Sequence, residues 1–110
     1  MKNLTRNILL AYFALLPLTA SAAPPVIEIA IRKHLFFPAE PVIPANTKVK
    51  LLISNEDKTP EEFESYELNR EKVIPGNSKA VIFVGPLAPG RYPFFGEFNQ
   101  TTALGAIIAQ

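Results

Sequence analysis

The run VIEIAIR, residues 26–32, alternates without a break: Ile27, Ile29 and Ile31 fall on one face of an extended chain, and Glu28, Ala30 and Arg32 on the other. A period of two marks a half-buried strand; an amphipathic helix would repeat its apolar residues every three to four positions. The rhythm returns in KVKLLIS (48–54), with Val49, Leu51 and Ile53 inward. It returns again in the strongly apolar SKAVIFV (78–84), which follows the turn PGN and ends at GPLAPG. RYPFF (91–95) and LGAIIA (104–109) read as a last pair. HLFFPAEPVIP (34–44) carries Pro38, Pro41 and Pro44. Proline donates no ladder hydrogen bond, so this piece is expected as an edge strand or irregular extended chain. Strands separated by turn signals at this spacing predict an all-β fold, an antiparallel sandwich of Greek-key type, in preference to a small barrel.

A chain of 110 residues holds one domain at most. Its first residues are expected to lie outside that domain. Lys2 and Arg6 precede an apolar run from Ile8 to Leu18, and Ala20-Ser21-Ala22 offers the small-x-small pattern of a signal-peptidase site. The run is shorter than the roughly 20 residues a spanning helix needs, and Pro17 interrupts it. The expectation is a signal peptide over 1–22, a domain over 23–110, and a periplasmic product that does not span the membrane after cleavage. Without Lys2 and Arg6 the remainder carries nine basic against ten acidic residues, and no basic patch interleaved with aromatics. Nucleic acid is therefore not an expected partner.

The chain has no cysteine. Disulfides, thiolate-bound zinc, iron–sulfur clusters and thiol catalysis are excluded by composition. Stability must come from apolar packing, helped by 11 prolines that restrict the unfolded chain. Catalytic groups are few. His34 is the one histidine, and Ser54, Ser65 and Ser78 stand in no nucleophile motif, so no enzyme is predicted.

The segment EEFESYELNRE (61–71) gathers Glu61, Glu62, Glu64, Glu67 and Glu71 around Phe63, Tyr66 and Leu68. Carboxylates are hard oxygen donors suited to iron(III), calcium, magnesium or manganese, and copper(II) also accepts oxygen. The plain alternative is a solvated acidic loop, with at most a few helical turns, anchored by Phe63 and Leu68. His34 is read as a hydrogen-bonded or rim histidine, since one imidazole alone makes no metal site. The aromatic group Phe36, Phe37, Phe63, Phe83, Tyr92, Phe94, Phe95 and Phe98 is expected mostly in the core.

Three motifs in order carry a family likeness: PA before the second strand, P-x-N-T-x-V at 44–49, and L-x-P-G-x-Y-x-F at 87–94. With them the chain resembles the cupredoxin-like domains. EFES followed by LNREKV is similar to the exported, EfeO-type branch associated with bacterial iron uptake. The resemblance implies a cupredoxin-type Greek-key β-sandwich. It also implies where copper-carrying members keep their ligands. Their first histidine matches Glu62; the cysteine slot falls at Gly96 or Glu97, the histidine slot near Asn99, and the methionine slot near Ala103 or Leu104. No soft or imidazole ligand stands at any of these, so type 1 copper is not expected. What the resemblance leaves at that end is Glu62, Glu64 and Glu67, with Glu97 from the opposite loop, as ligands for iron(III) or copper(II). The implied role is a metal-binding accessory of iron or copper uptake. Its implied partner is an inner-membrane iron permease or another periplasmic uptake component. The alternative is a metal-free interaction module within a transport complex.

Overall fold

The computed structural model describes residues 22–110, so the expected signal segment lies outside the described part up to its last residue. The described residues form nine strands: β1 (Val26–Arg32), β2 (Leu35–Phe37), β3 (Val42–Ile43), β4 (Val49–Asn55), β5 (Glu61–Ser65), β6 (Arg70–Ile74), β7 (Ser78–Val84), β8 (Gly90–Gly96) and β9 (Leu104–Ala109). They build two sheets, one in the order β2-β1-β4-β7 and one in the order β3-β9-β8-β5-β6. Among the described residues no helix is long and apolar enough to cross a membrane.

The alternating residues face as their period requires. Ile29, Ile31, Val49, Leu51, Ile53, Ala80, Ile82 and Val84 of the first sheet are buried against Phe63, Ile74, Phe94, Ile107 and Ala109 of the second. Each large side chain taken out of water here stabilises the fold by roughly 1.5–3 kcal/mol. Three rings stand at the centre. Phe63 stacks on Phe94 with centroids 4.8 Å apart, and Phe36 meets Phe94 edge-on at 4.9 Å. The other aromatics divide differently from the sequence expectation. Phe37, Phe83 and Phe98 are exposed, because they occupy the outward register or the final loop. Phe37 lies under the Arg32 guanidinium and Phe83 under the Lys48 ammonium, at 5.7 and 4.9 Å from the ring centres.

Two features depart from a simple antiparallel sandwich. β1 pairs parallel with β4, and β3 pairs parallel with β9. In both cases the chain crosses to the other sheet before the partner strand begins. The acidic segment, moreover, is neither loop nor helix: β5 and β6 form an antiparallel hairpin with Glu61 opposite Ile74 and Glu64 opposite Glu71. Its period of two is hidden from a hydropathy reading because two of its three inward positions are Glu61 and Ser65.

Polar side chains fix the loops. Asn55 is buried; its Nδ2 donates to the Thr59 and Ile74 carbonyls, and its Oδ1 accepts from the Asp57 amide. Lys33 and His34 turn the β1–β2 hairpin with φ of 52° and 62°, a conformation costly for residues with a Cβ. Both of their amides donate to the Asp57 carboxylate, at 2.8 and 2.9 Å, and this compensates the turn. Desolvation pushes the Asp57 carboxyl up, but these two amide bonds and the neighbouring His34 outweigh it and hold it below the usual value. His34 thus serves a turn. Ser65 and Ser78 donate their hydroxyls to the Pro93 and Gly76 carbonyls. At the open side of the sandwich, Arg70 of edge strand β6 reaches edge strand β7, its Nε donating to the Phe83 carbonyl at 2.9 Å.

Candidate functional site

β5 runs between β6 and β8, and its alternation sends glutamates to both sides of the sheet. Glu62 and Glu64 point outward. Glu71 stands directly opposite Glu64 across the β5–β6 ladder and diagonal to Glu62, which faces Val73. One carboxylate oxygen from each of Glu62, Glu64 and Glu71 lies within 4.8 Å of the other two. Like charges placed directly across a ladder repel. A proton shared with Glu71, then desolvation, then the charges of Glu71, Glu64 and Glu97 push the Glu62 carboxyl up to about 7. Desolvation followed by the charges of Glu71 and Glu97 raises Glu64 in the same direction. Glu64 Oε2 is buried and has no hydrogen-bond partner among the described residues.

Glu97 opens the 3-10 turn Glu97–Asn99 after β8 and is half-buried. It comes near enough to act electrostatically on Glu62 and Glu64. Of the four glutamates expected from the sequence, Glu62 and Glu64 share the outer face of β5, and Glu97 follows Gly96, which the β5–β8 register sets opposite Phe63. Glu67 sits in the exposed β5–β6 turn, outside the three-carboxylate group. Glu71, a member of the acidic segment but not of the expected ligand set, belongs to the group. The ladder register that brings it there would have been visible only to a reading that made 61–74 a hairpin.

The inward side of β5 differs. Glu61, 1% exposed, turns its carboxylate toward the loop between β8 and β9. Its Oε1 accepts the amides of Glu62 and Phe98, both at 2.9 Å, and its Oε2 accepts Asn99 Nδ2 at 2.8 Å. The loop closes beneath it: Gly96 N–H donates to the Ala103 carbonyl and Ala103 N–H to the Asn99 carbonyl. The side chain of β5 that meets the ligand loop is thus Glu61, one residue before the expected Glu62. Once 61–65 is known to be a strand the face follows, since Glu61 is two residues from the core Phe63.

This geometry tests the copper centre that the family likeness implies. A Cβ added at Gly96, the expected cysteine slot, would come within 2.6 Å of Glu61 Oε2 and 2.8 Å of Ala103 Cβ. There is no thiolate in the chain, and the space a ligand side chain would enter is filled by a carboxylate already hydrogen-bonded to the loop. The residues present do not fit type 1 copper. The outer group is different in kind, a set of three hard oxygen donors of the sort that iron(III) or copper(II) accepts.

The outer group also sets a pH dependence. Folding raises the Glu62 carboxyl from the ordinary 4.5 to about 7, so the folded chain binds more protons than the unfolded chain between those values. The contribution is fully present below the lower value and lost as pH rises through the upper one. The melting temperature should therefore fall between about pH 5 and about pH 8, and Glu62→Gln should flatten that slope. Thermal melts across this window decide it; a melting temperature that climbs with pH would contradict the geometry. Asp57, shifted downward, loses its contribution only at lower pH and leaves the window clear.

The comparisons with known proteins agree with the architecture. The profile of the cupredoxin-like domain family matches residues 6–109. The chain is 45% identical over 82 residues to an uncharacterized protein of Rickettsia prowazekii (strain Madrid E), a match covering 74% of this chain and 66% of that protein, just short of two-thirds of its length. Among solved structures it is similar to the metal binding domain of the Cu(I)-exporting P-type ATPase of Streptococcus pneumoniae D39, with a TM-score of 0.66 and 18% identity over 83% of this chain and 92% of that one. Auracyanin A, a blue copper protein of Chloroflexus aurantiacus, gives a TM-score of 0.66 at 13% identity, covering 80% of this chain and all of its own. A purple cupredoxin of Nitrosopumilus maritimus gives 0.59 at 16% identity, over 76% and 98% of the two chains. At such identities the structural likeness carries the fold.

Proposed function

The chain belongs to the cupredoxin-like domain family, and from that premise we propose that it is an exported, periplasmic metal-binding accessory of iron or copper uptake. In this reading it is not a blue-copper electron carrier. Its place is in the EfeO-type branch, and its partner is an inner-membrane iron permease or another periplasmic uptake component. The observation that carries the reading is the convergence of Glu62, Glu64 and Glu71 within 4.8 Å, with a buried Glu64 oxygen left without a donor. Repelling carboxylates held on a rigid ladder are stabilised by a cation that bridges them. Glu97 adds a fourth negative charge beside them. The basic, apolar character of residues 2–18 supports export, and the copper-binding structural relatives support metal handling as a theme of the fold.

Titration calorimetry of the mature protein with iron(III)-citrate and with copper(II) tests this. One of the two should bind, releasing protons below about pH 7 because Glu62 must give up its own. The variant Glu62→Gln/Glu64→Gln/Glu71→Gln keeps the shape of the face and should weaken binding by at least about tenfold, the order reached when only the groups hydrogen-bonded to a metal's ligands are lost. Equal binding by both proteins, or none by either, would sink the proposal.

One observation favours a second reading, a metal-free interaction module. The ligand loop is closed on Glu61 rather than built to receive an ion. In that case a periplasmic partner should remain bound after exhaustive chelation, and its release by chelator would count against the module.

A further inference from the structure

We infer that Glu61 is a positioning residue, whose buried carboxylate ties β5 to the β8–β9 loop without any metal and thereby holds Glu97 against the outer acidic face. The likeness to copper-carrying domains places one ligand on the strand side and the others in that loop, so that an ion joins the two. Here the join is made by Glu61: Oε1 takes the Phe98 amide and Oε2 takes Asn99 Nδ2, while the Glu62 amide completes the set. Every contact falls within the ordinary range of a strong, charge-assisted hydrogen bond. Glycine at 96 is part of the same device, since any Cβ there would collide with the Glu61 carboxylate.

The consequence reaches the other side of the sheet. The two anchored residues, Phe98 and Asn99, follow Glu97 directly in the turn that begins at the end of β8. Fixing them fixes Glu97, which follows Gly96 where the β5–β8 register sets Phe63 opposite Gly96, and so comes across from Glu62. The inner carboxylate is a strut, and the outer ones are the face it supports. This second half rests on the cation-binding reading above; the strut itself does not.

Amide hydrogen exchange on the full mature domain tests the strut. Hydrogen bonds to a charged group contribute enough that their loss raises exchange by about 10- to 100-fold. Glu61→Ala should accelerate exchange by that factor at Phe98 and Ala103, beyond any change at Ile29 or Leu51 in the first sheet. Glu61→Gln retains an oxygen for the Phe98 amide and should restore most of the protection. Chelator should change nothing. If Glu61→Ala does not fold, Asn99→Ala removes one arm at a half-buried position and should raise exchange at Phe98 about tenfold. Unchanged protection at Phe98 in these variants, or protection that vanishes on chelation, overturns the inference.

A second arm tests positioning. Glu97→Gln should weaken copper(II) or iron(III) binding in the wild-type background and have no further effect beside Glu61→Ala. Equal fold-changes in both backgrounds overturn the positioning role. If the unaltered domain binds neither ion, the function proposed above fails, and the exchange experiment still decides the strut.

Discussion

Phe63→Ala should destabilise the domain by about 3–5 kcal/mol, the range for deleting a fully buried aromatic ring. Phe63 is wholly buried, stacks on Phe94 and meets Phe36 edge-on at 6.2 Å, so the cavity would open where three rings converge. A domain of this size has on the order of 5–10 kcal/mol in all. The substitution should therefore leave a substantial unfolded fraction at physiological temperature, and urea denaturation would measure it directly. A larger consequence is positional. Phe63 lies between Glu62 and Glu64 in β5, and its inward anchorage is what makes those two carboxylates point outward together. Loss of ion binding in Phe63→Ala with the fold intact would show that dependence.

Gly96→Ala should be nearly as damaging, at about 1–3 kcal/mol for forced overpacking, together with the hydrogen bonds it disturbs. The backbone there is extended, with φ −90° and ψ 113°, so any residue could adopt it. Space alone excludes a side chain: the added methyl carbon would approach Glu61 Oε2 at 2.6 Å and Cδ at 2.7 Å. The penalty should shrink when Glu61 is also alanine, because the colliding carboxylate is gone. A double-mutant cycle on denaturation free energies reads that coupling. Simple additivity would show that the clash resides with Ala103 instead.

The strands that were legible in the sequence are those whose inward residues are all apolar. Ile27, Ile29 and Ile31 declare β1, and Val49, Leu51 and Ile53 declare β4. The prolines of 34–44 likewise announce short edge pieces, and β2 and β3 are three and two residues long. β5 escaped because Glu61 and Ser65 occupy inward positions that a hydropathy pattern assigns to apolar side chains. A buried carboxylate is tolerated only when donors meet it, and two of its three donors come from residues 98 and 99, far along the chain. No local pattern could show them.

The candidate site was legible to a similar depth. The family likeness implies Glu62, Glu64 and Glu97 as hard donors at one end of the sandwich; in the structure Glu62 and Glu64 stand on strand β5 and Glu97 in the turn after β8. The share of Glu71 in the group depends on ladder register, which follows from the β5–β6 turn rather than from composition. Glu67 belongs to that turn and stays in solvent. The choice between Glu61 and Glu62 for the inward position is a matter of one residue, and in a strand one residue reverses the face.

Arg70 has a consequence for life at high concentration. Sheet edges that end in free carbonyls and amides invite a strand from another molecule to continue the ladder. The guanidinium of Arg70 spans from the edge of one sheet to the edge of the other and occupies the Phe83 carbonyl, while its Nη1 takes those of Leu68 and Asn69. A strand approaching β7 would have to displace a charge before it could pair. The same residue that closes the side of the sandwich thus guards against fibre growth along it.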